Sequence, residues 1–340
     1  MKEILNHLIE HKTLSKEQAK GVLKEMTSGE VNTSQMAAFL TIFMMRTVRV
    51  EELMGFREAM LERCIAVDIP EYDAIDLCGT GGDGKDTFNV STLASFIVAG
   101  AGQPVAKHGN VGVSSVCGSS NLLQYFGYEF TSDIDKLKSS LDRAGICFLH
   151  APLFHPAMKH IGPVRKELGV KTFFNMLGPM VNPSFPKKQL VGVFSLELAR
   201  LYGYLYQNND VRFSILHSLD GYDEVSLTGD LKWISNDGEK VVNPEELGFS
   251  TDIATILPEA IKGGSSIKDS AAIFMDILEG KGSPEQEAVV IANATIALTT
   301  SKPTWSLEKA RETARETLKN GTALKVFKEL ISPKTSLNIS

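Results

Sequence analysis

Apolar residues recur at helical spacing through the first part of the chain. Ser15 followed by Gln18 matches a capping box, in which each residue's side chain pairs with the backbone N–H of the other at a helix start. Residues 1–68 are therefore predicted to form a small helical unit whose Met and Phe side chains make a core or a dimer face. The apolar positions spaced three or four residues apart are Met36, Phe39, Leu40, Phe43 and Met44.

After Asp73 the pattern changes to short apolar runs that end in glycine-rich or polar turns. The strand-like runs lie in AIDLCGTGGD, PVAKHGN, ICFLHA, QLVGVF and VRFSILHS. Helical stretches separate them: STLASFIVAGAG and the ranges 120–126, 133–144 and 196–206. LKWISNDGEKVVNP has the turn residues of a β-hairpin, and helices return after Ser265. This alternation predicts the α/β class, with a sheet covered by helices.

Composition and charge narrow the class of protein. A length of 340 residues corresponds to about two domains. The chain has 43% hydrophobic and 22% charged residues, as a globular protein does. A formal net charge of -6 and a pI of about 5.7 argue against a protein that coats nucleic acid, because that task needs a positive surface.

The four cysteines form no CxxC pair and have no histidine at metal-ligand spacing, which favours reduced thiols and a cytoplasmic location. They are Cys64, Cys78, Cys117 and Cys147. The charged N-terminus has no apolar signal core. The most apolar window, 36–45, is shorter than the roughly 18 residues that span a bilayer. We therefore expect neither secretion nor a membrane span.

The first candidate site is Gly79-Thr80-Gly81-Gly82-Asp83-Gly84, directly after a predicted strand. Glycines let backbone N–H groups approach an anion such as a phosphate. The sequence is neither the dinucleotide motif nor the P-loop motif, and an ordinary turn is the alternative. Asp83 would repel a bare phosphate, so its carboxylate suits a hydroxyl or a cation.

Polar residues also crowd the start of the next predicted helix, where free N–H groups and the helix dipole favour an anion. These are Thr87, Asn89, Ser91 and Thr92, where an ordinary cap would need one. Lys107-His108-Gly109-Asn110 follows the second strand, with Ser114, Ser115 and Ser119 beyond it. Lysine is a natural phosphate partner, whereas a lone histidine more often packs or caps. Because ligands of α/β folds bind at the carboxyl ends of strands, three such clusters together favour an anion site.

Two further clusters carry charge. HPAMKH, from His155, is followed by Arg165, which could grip a carboxylate or could lie on a solvated helix face. Asp223-Glu224 offers hard oxygen ligands for Mg²⁺ shared with a diphosphate, although most adjacent acid pairs bind nothing.

Taken together, DLCGTGGD, NVST, KHGN with SSVCGS, HPAMKHIGPVRKELGVKTFFNMLGP and Asp223-Glu224 resemble the anthranilate phosphoribosyltransferase family over nearly the whole chain. The resemblance implies a helical domain of residues 1–68 joined by a segment near 163–183. It also implies an α/β domain of residues 73–162 and 184–335 that binds 5-phosphoribosyl 1-diphosphate. A homodimer and association with anthranilate synthase are further implied, with no nucleic acid or membrane partner.

The family reaction would transfer the 5-phosphoribosyl group to the amine of anthranilate in tryptophan biosynthesis, releasing diphosphate. The matching catalytic positions are Asp83, Lys107 and Arg165. The positions for 5-phosphoribosyl 1-diphosphate are Gly79, Gly82, Asp83, Thr87, Asn89, Val90, Ser91, Thr92, Lys107, Ser114, Ser115 and Ser119. Those for anthranilate are Gly79, His108, Asn110, His155 and Arg165. Two Mg²⁺ ions are implied, one on Ser91 and Glu224 and one on Asp223 and Glu224.

Three residues depart from the family pattern: Val111 stands where many relatives carry Arg, Asn121 where Asp is frequent, and His150 where an aromatic residue is usual. Val111 removes one diphosphate contact. Two alternatives remain at this point, a pyrimidine nucleoside phosphorylase and a nucleic-acid-binding relative without activity. The KHGN loop and the acid pair argue against the first, and the acidic chain argues against the second.

Overall fold

The computed structural model describes residues 1–112, 116–207, 209–249 and 256–332. The chain begins with four helices, and the predicted capping box is present, with Ser15 and Gln18 each accepting the other's backbone N–H. These helices are α1 (Lys2–Ile9), α2 (Lys16–Ser28), α3 (Thr33–Met45) and α4 (Val50–Glu62). The predicted helical start is thus confirmed, although its last helix ends at Glu62 and not near residue 68.

A mixed seven-stranded sheet follows, in the order β3-β2-β1-β4-β5-β6-β7. Strands β1 to β5 are parallel, and β6 and β7 continue the sheet as the predicted hairpin, whose closing pair is Ser235 and Gly238. The strands are β1 (Ile75–Gly79), β2 (Val105–Gly109), β3 (Ile146–His150), β4 (Lys188–Gly192), β5 (Arg212–Ser218), β6 (Leu231–Ser235) and β7 (Gly238–Val242).

Helices lie between the strands and after the hairpin, as the alternating pattern predicts. Between the strands these are α5 (Val90–Gly100), α6 (Ser119–Tyr125), α7 (Ile134–Ala144), α8 (Ala151–Phe154), α9 (Gly162–Leu168), α10 (Phe174–Leu177) and α11 (Leu196–Gln207). After the hairpin they are α12 (Ile267–Leu278), α13 (Pro284–Ser301), α14 (Leu307–Lys319) and α15 (Thr322–Ile331). The α/β class with a helical start is therefore confirmed.

Alternate strand residues bury against different cores, as the two-residue period of a strand requires. In β4, Leu190 joins the core made with α5 and α12 to α15, whereas Val191 joins the core made with α1 to α4 and α11. A smaller core lies between α7, α8 and the strands β2 and β3. The sheet is covered on both faces, so its polar strand ends become the natural place for a ligand.

The helices α9 and α10 pack with the first four helices, although more than 90 residues of α/β structure lie between them in the sequence. The rings of Phe56 and Phe173 stack with centroids 4.4 Å apart, and Phe39 and Phe43 meet Phe173 edge-on. Met36 is buried here, whereas Met44 is 40% and Met45 83% exposed. The helical part is thus built from two separate stretches of chain, and α9 carries its polar side chains to the edge of the sheet.

Candidate active site

A cavity of about 300 Å³ lies where the ends of β1 and β2 meet the first turn of α5, the helix α9 and the turn that follows β5. Most of the predicted site residues line it. They are Gly79, Gly82, Asp83, Thr87, Asn89, Val90, Ser91, Thr92, Lys107, His108, Asn110, Ser119, Arg165, Asp223 and Glu224. His155 stands behind His108, with the ring centroids 5.5 Å apart. Ser114 and Ser115 lie outside the described residues.

Two glycines let the acidic turn approach the sheet. Gly79 and Gly192 are register partners on β1 and β4. A Cβ on Gly79 would lie 2.5 Å from Asp223 Oδ2, and one on Gly192 would overlap the Asp223 carbonyl oxygen. The Gly81 backbone N–H donates to Asp223 Oδ2 over 2.6 Å. Small residues at these two strand positions therefore place the acid pair directly beside the glycine loop.

The acid pair is enclosed by protein. Burial, then the neighbouring Asp83 carboxylate, raises the pKa of Asp223. Burial and the charge of Asp223 raise the pKa of Glu224 well above its ordinary value. Glu224 Oε1 and Asp83 Oδ2 are buried without a hydrogen-bond partner among the residues that the structure describes. Such crowding of carboxylates is what an added cation would relieve.

The donor set fits Mg²⁺, which prefers carboxylate and hydroxyl oxygens and keeps positions for phosphate. Across the described ranges, no group of three His, Cys, Asp or Glu side chains could hold a metal unaided. Asp223, Glu224 and Ser91 do share the cavity. This arrangement fits an ion whose remaining ligands come with the substrate.

Lys107 rises from β2 into the centre of the cavity and is 2% exposed. Its ammonium donates to the Leu77 carbonyl oxygen and, over 3.2 Å, to Ser91 Oγ. Burial lowers the pKa of Lys107, and the nearby Asp76 carboxylate opposes that effect. The cation is thus fixed beside the first turn of α5, where the helix dipole also favours an anion.

The first turn of α5 is presented by Asn89. Its side-chain Nδ2 donates to the Cys117 carbonyl oxygen over 2.9 Å, which ties the helix start to the loop before α6. Val90, Ser91 and Thr92 form the first turn, whose backbone N–H groups have no partner within the helix. The polar residues that crowd the start of α5 in the sequence therefore do more than cap this helix.

Asn121, one of the departures, has a structural role. Its Oδ1 accepts the backbone N–H groups of Gly112 and Gly118 over 2.9 and 3.1 Å. An Asp in this place would offer the same acceptor to Gly112 and Gly118. Val111 lines the cavity with an apolar side chain that is 44% exposed.

The two histidines are held neutral. His108 Nδ1 donates to the Gly178 carbonyl oxygen over 3.2 Å, and His155 Nε2 donates to that of Val181 over 2.9 Å. Burial, then the neighbouring His155, lowers the pKa of His108 to about 3, and burial lowers that of His155 to about 4. His150, the third departure, hydrogen-bonds through Nδ1 to Ser120 Oγ over 2.9 Å. It stacks on the Phe130 ring, so it does the packing work of an aromatic residue.

Arg165 faces the other side of the cavity from α9. Its Nη2 donates weakly to Asn175 Oδ1 over 3.4 Å, and its guanidinium lies 5.1 Å from the Phe174 ring centroid. Its Nε is buried without a partner. The guanidinium is positioned by packing while most of its donors stay available, which suits capture of a carboxylate.

The structure adds three residues that sequence reasoning missed. Asp76 lies buried beneath Lys107 and accepts the His108 backbone N–H over 3.1 Å. Gln189, from β4, donates to Asp76 over 3.0 Å. Lys171, from the segment after α9, donates to the Gly82 carbonyl oxygen across the cavity mouth. The one available signal was a polar residue inside each of the apolar runs AIDLC and QLVGVF.

Two further expectations concern the whole chain. All four cysteines are free in the structure. Within the described part of the chain, no helix combines the length and apolar character that crossing a membrane requires.

Comparison with known proteins gives two family matches. Residues 2–64 match the helical bundle domain of the glycosyl transferase family, and residues 71–324 match its a/b domain. The anthranilate phosphoribosyltransferase of Christiangramia forsetii is 58% identical over 330 residues, which cover 97% of this chain and 98% of that protein.

Solved structures agree with the sequence matches. Anthranilate phosphoribosyltransferase from Thermus thermophilus superposes with a TM-score of 0.88 at 32% identity, covering 96% of this chain and 98% of that one. The enzyme from Saccharomyces cerevisiae in complex with PRPP and Mg has a TM-score of 0.87 at 26% identity, with 96% and 95% covered. Both matches extend over the helical and the α/β parts.

Proposed function

The chain belongs to the anthranilate phosphoribosyltransferases of the glycosyl transferase family, and from this premise we propose how its cavity works. The enzyme transfers the 5-phosphoribosyl group of 5-phosphoribosyl 1-diphosphate to the amine of anthranilate. The products are N-(5-phosphoribosyl)anthranilate and diphosphate, in tryptophan biosynthesis. The observation that carries this function is one cavity with Lys107 and the acid pair on the sheet side and Arg165 on the helical side.

The sheet side binds 5-phosphoribosyl 1-diphosphate. The glycine loop and the first turn of α5 offer backbone N–H groups, and Lys107 offers a buried cation between them. The residues that we assign to this substrate are Gly79, Gly82, Asp83, Thr87, Asn89, Val90, Ser91, Thr92, Lys107, Ser114, Ser115 and Ser119. Ser91, Asp223 and Glu224 would hold two Mg²⁺ ions, whose charge neutralises the diphosphate as it departs.

The helical side binds anthranilate. Arg165 receives the carboxylate, and Asn110, Gly79, His108 and His155 surround the ring and its path. The aromatic amine is unprotonated at pH 7, so it needs no strong general base and reacts once it is positioned. Neutral imidazoles suit this side, because a second cation would draw the carboxylate away from Arg165.

The reaction breaks the bond between ribosyl C1 and the diphosphate oxygen, which leaves with the electron pair, while the amine nitrogen forms the new bond to C1. The nitrogen then releases one proton to the departing diphosphate or to solvent. C1 passes through an oxocarbenium-like state. Lys107 stabilises the negative charge that grows on the leaving oxygen. Asp83 faces this charge from the glycine loop and suits a ribosyl hydroxyl or a cation. Closure of the helical side over the sheet side excludes water, the competing nucleophile.

The proposed function is tested by the loss of anthranilate fluorescence with purified protein, 5-phosphoribosyl 1-diphosphate and Mg²⁺. Loss is expected only when all three are present, and chelation of the metal should stop it. Mass spectrometry should find the phosphoribosylated product. Unchanged fluorescence in a protein shown to be folded would contradict the proposal.

Membership of the family also leads to proposals about the domains and the oligomeric state. We propose that residues 1–68 with 163–183 move as one domain against 73–162 with 184–335, because α9 and α10 share their core with the first helices. A homodimer would form through the helical domain, where Met44 and Met45 border a groove of about 590 Å³. Sedimentation should show a dimer that Met45→Asp weakens.

Two proposals rest on the family alone. Association with anthranilate synthase should be seen as co-elution of the two purified proteins. A cytoplasmic location accords with the four free cysteines and can be checked by cell fractionation.

A further inference from the structure

Gly178 and Pro179 form part of the cavity wall and begin a short stretch, Gly178–Val181, that joins the helical side to β4. Each of its four consecutive carbonyl oxygens accepts a hydrogen bond from a side chain on a different element. The donors are His108 to Gly178 (3.2 Å), Gln189 to Pro179 (2.6 Å), Arg57 to Met180 (3.1 Å) and His155 to Val181 (2.9 Å). This stretch is a short 3-10 turn, and side chains from four different elements hold it in place from outside.

Among these donors Gln189 is distinctive because it bonds on three sides. Its Nε2 donates to the Pro179 carbonyl oxygen and, over 3.0 Å, to Asp76 Oδ2, while its Oε1 accepts the Tyr206 hydroxyl. Gln189 is 4% exposed and Asp76 is fully buried, so water cannot replace these bonds.

Asp76 extends this series of hydrogen bonds to the floor of the cavity. Its Oδ1 accepts the backbone N–H of His108, the residue that follows Lys107 on β2. One amide thus connects the wall at Pro179 with the floor at His108. Both of these residues line the cavity together with Arg165.

We propose that Gln189 is a positioning residue that fixes the distance between the wall and the floor against which anthranilate binds. The inference rests on the proposed function. Only an amide of this length provides two N–H bonds and one acceptor. A Glu would lose both donors and place a second carboxylate beside Asp76. A Met would remove the amide bonds to Pro179 and Asp76 and leave Asp76 Oδ2 with only the weak Cys78 thiol donor.

The test is Gln189→Met, which keeps the length of the side chain and removes its polar atoms. The KM for anthranilate should rise about tenfold, as expected for buried oxygens left unpaired, while the KM for 5-phosphoribosyl 1-diphosphate changes less than about twofold. This split separates positioning of one substrate from a general loss of structure.

Two controls match the test. Ser214→Ala on β5 removes buried hydrogen bonds to Thr300 and Trp233 without touching the cavity, and both KM values should stay at wild type. Tyr206→Phe removes only the bond at the far end of Gln189 and should change the anthranilate KM less than about twofold. Gln189→Leu, which also lacks the amide, should reproduce the selective rise if Gln189→Met does not fold.

Equal rises in both KM values, or an unchanged anthranilate KM, in an otherwise active Gln189→Met enzyme would overturn this inference alone. A wild-type protein that forms no product would overturn the proposed function, and with it this assignment. A selective rise that Ser214→Ala does not share would support it.

Discussion

The two halves of the cavity bury groups of different charge. The half that we assign to the diphosphate, called the diphosphate half, is defined by Asp83, Lys107, Asp223 and Glu224. It combines a buried cation with crowded carboxylates, two of whose oxygens have no partner among the described residues. The half that we assign to anthranilate, called the anthranilate half, is defined by His108, His155 and Arg165 and holds two neutral imidazoles and one guanidinium. The first half needs an ion and an anion together to balance its charges, whereas the second is balanced by a single carboxylate.

Because of this difference, the two halves should hold their substrates by different interactions. Affinity in the diphosphate half depends on charge that arrives with the ligand, so it should follow Mg²⁺ and ionic strength. Affinity in the anthranilate half should depend on the distance between the wall and the floor of the cavity and on Arg165. A substitution in one half should therefore weaken binding of one substrate and leave the other substrate unaffected.

The largest effect should come from Lys107→Met in the diphosphate half. Because the leaving diphosphate loses its fixed cation, kcat should fall about 10² to 10³-fold, a magnitude typical of losing one such stabilising group. Initial rates at saturating substrates measure it. Lys166→Met, on the exposed face of α9, is the matched control, and its kcat should stay near the wild-type value. A mild effect of Lys107→Met on kcat would place the leaving group elsewhere.

Arg165→Ala should break the anthranilate half. The loss of a charge-assisted bond to the carboxylate should lower kcat/KM for anthranilate about 10- to 100-fold, with little change in the KM for 5-phosphoribosyl 1-diphosphate. Steady-state kinetics with each substrate varied measure the two effects. Arg165→Lys keeps the charge but not the paired N–H donors of the guanidinium, so its kcat/KM for anthranilate should lie between those of the wild type and Arg165→Ala. Equal losses for both substrates would mean that Arg165 serves the whole cavity.

The neutral histidines make a prediction about stability. Since the folded pKa of His155 is about 4 and the unfolded value about 6.5, below pH 6.5 the unfolded chain binds a proton that the folded protein does not. The neutral state of His155 therefore makes the folded protein lose stability as the pH falls from about 6.5 to about 4. The loss amounts to about 2 kcal/mol between pH 7 and pH 5.

Replacing His155 by Gln should therefore reduce the stability lost on going from pH 7 to pH 5 by about this amount. Urea unfolding at the two pH values measures the difference. His11→Gln, on an exposed turn, is the control and should keep the wild-type pH dependence. An unchanged loss in His155→Gln would show that His155 is not held neutral.

The smallest effect should come from Val111→Arg, which introduces the residue that the family resemblance leads us to expect at this position. The added guanidinium, partly exposed at the cavity, should lower the KM for 5-phosphoribosyl 1-diphosphate about two- to fivefold and leave anthranilate unaffected. Rising salt should cancel the gain. Val241→Arg on β7 adds the same charge away from the cavity and should do nothing; a gain there would point to net charge and not to a contact.

The sequence predicts the diphosphate half better than the anthranilate half, for a physical reason. Glycine turns, a helix start and Lys107 lie within a short stretch, and the carboxyl ends of parallel strands share one edge of the sheet. The direct pairing of β1 with β2 brings these groups together. Whether Arg165 would grip a ligand or lie on a solvated face could not be decided, because that depends on how α9 packs on helices far away in the sequence.

The sequence marks Asp76 and Gln189 as polar residues of apolar runs but does not show that they belong to the site. A single polar residue within an apolar strand has no local signature of its partner, and these two meet only because β1 and β4 are neighbours in the sheet. Strand order is a long-range property that hydrophobic periodicity leaves open. The same holds for Lys171, which reaches Gly82 across the cavity mouth.

The close approach of the acidic turn to Gly79 and Gly192 sets the mutational tolerance of this region. Any side chain at Gly192 would displace the backbone of Asp223, so even alanine should be rejected there by selection, whatever its effect on stability elsewhere. Gly81 and Gly84 have no atoms within 4 Å of an added Cβ and need only a positive φ, which asparagine can adopt. Glycines around one site thus evolve under different constraints, Gly79 and Gly192 by space and Gly81 and Gly84 by backbone conformation.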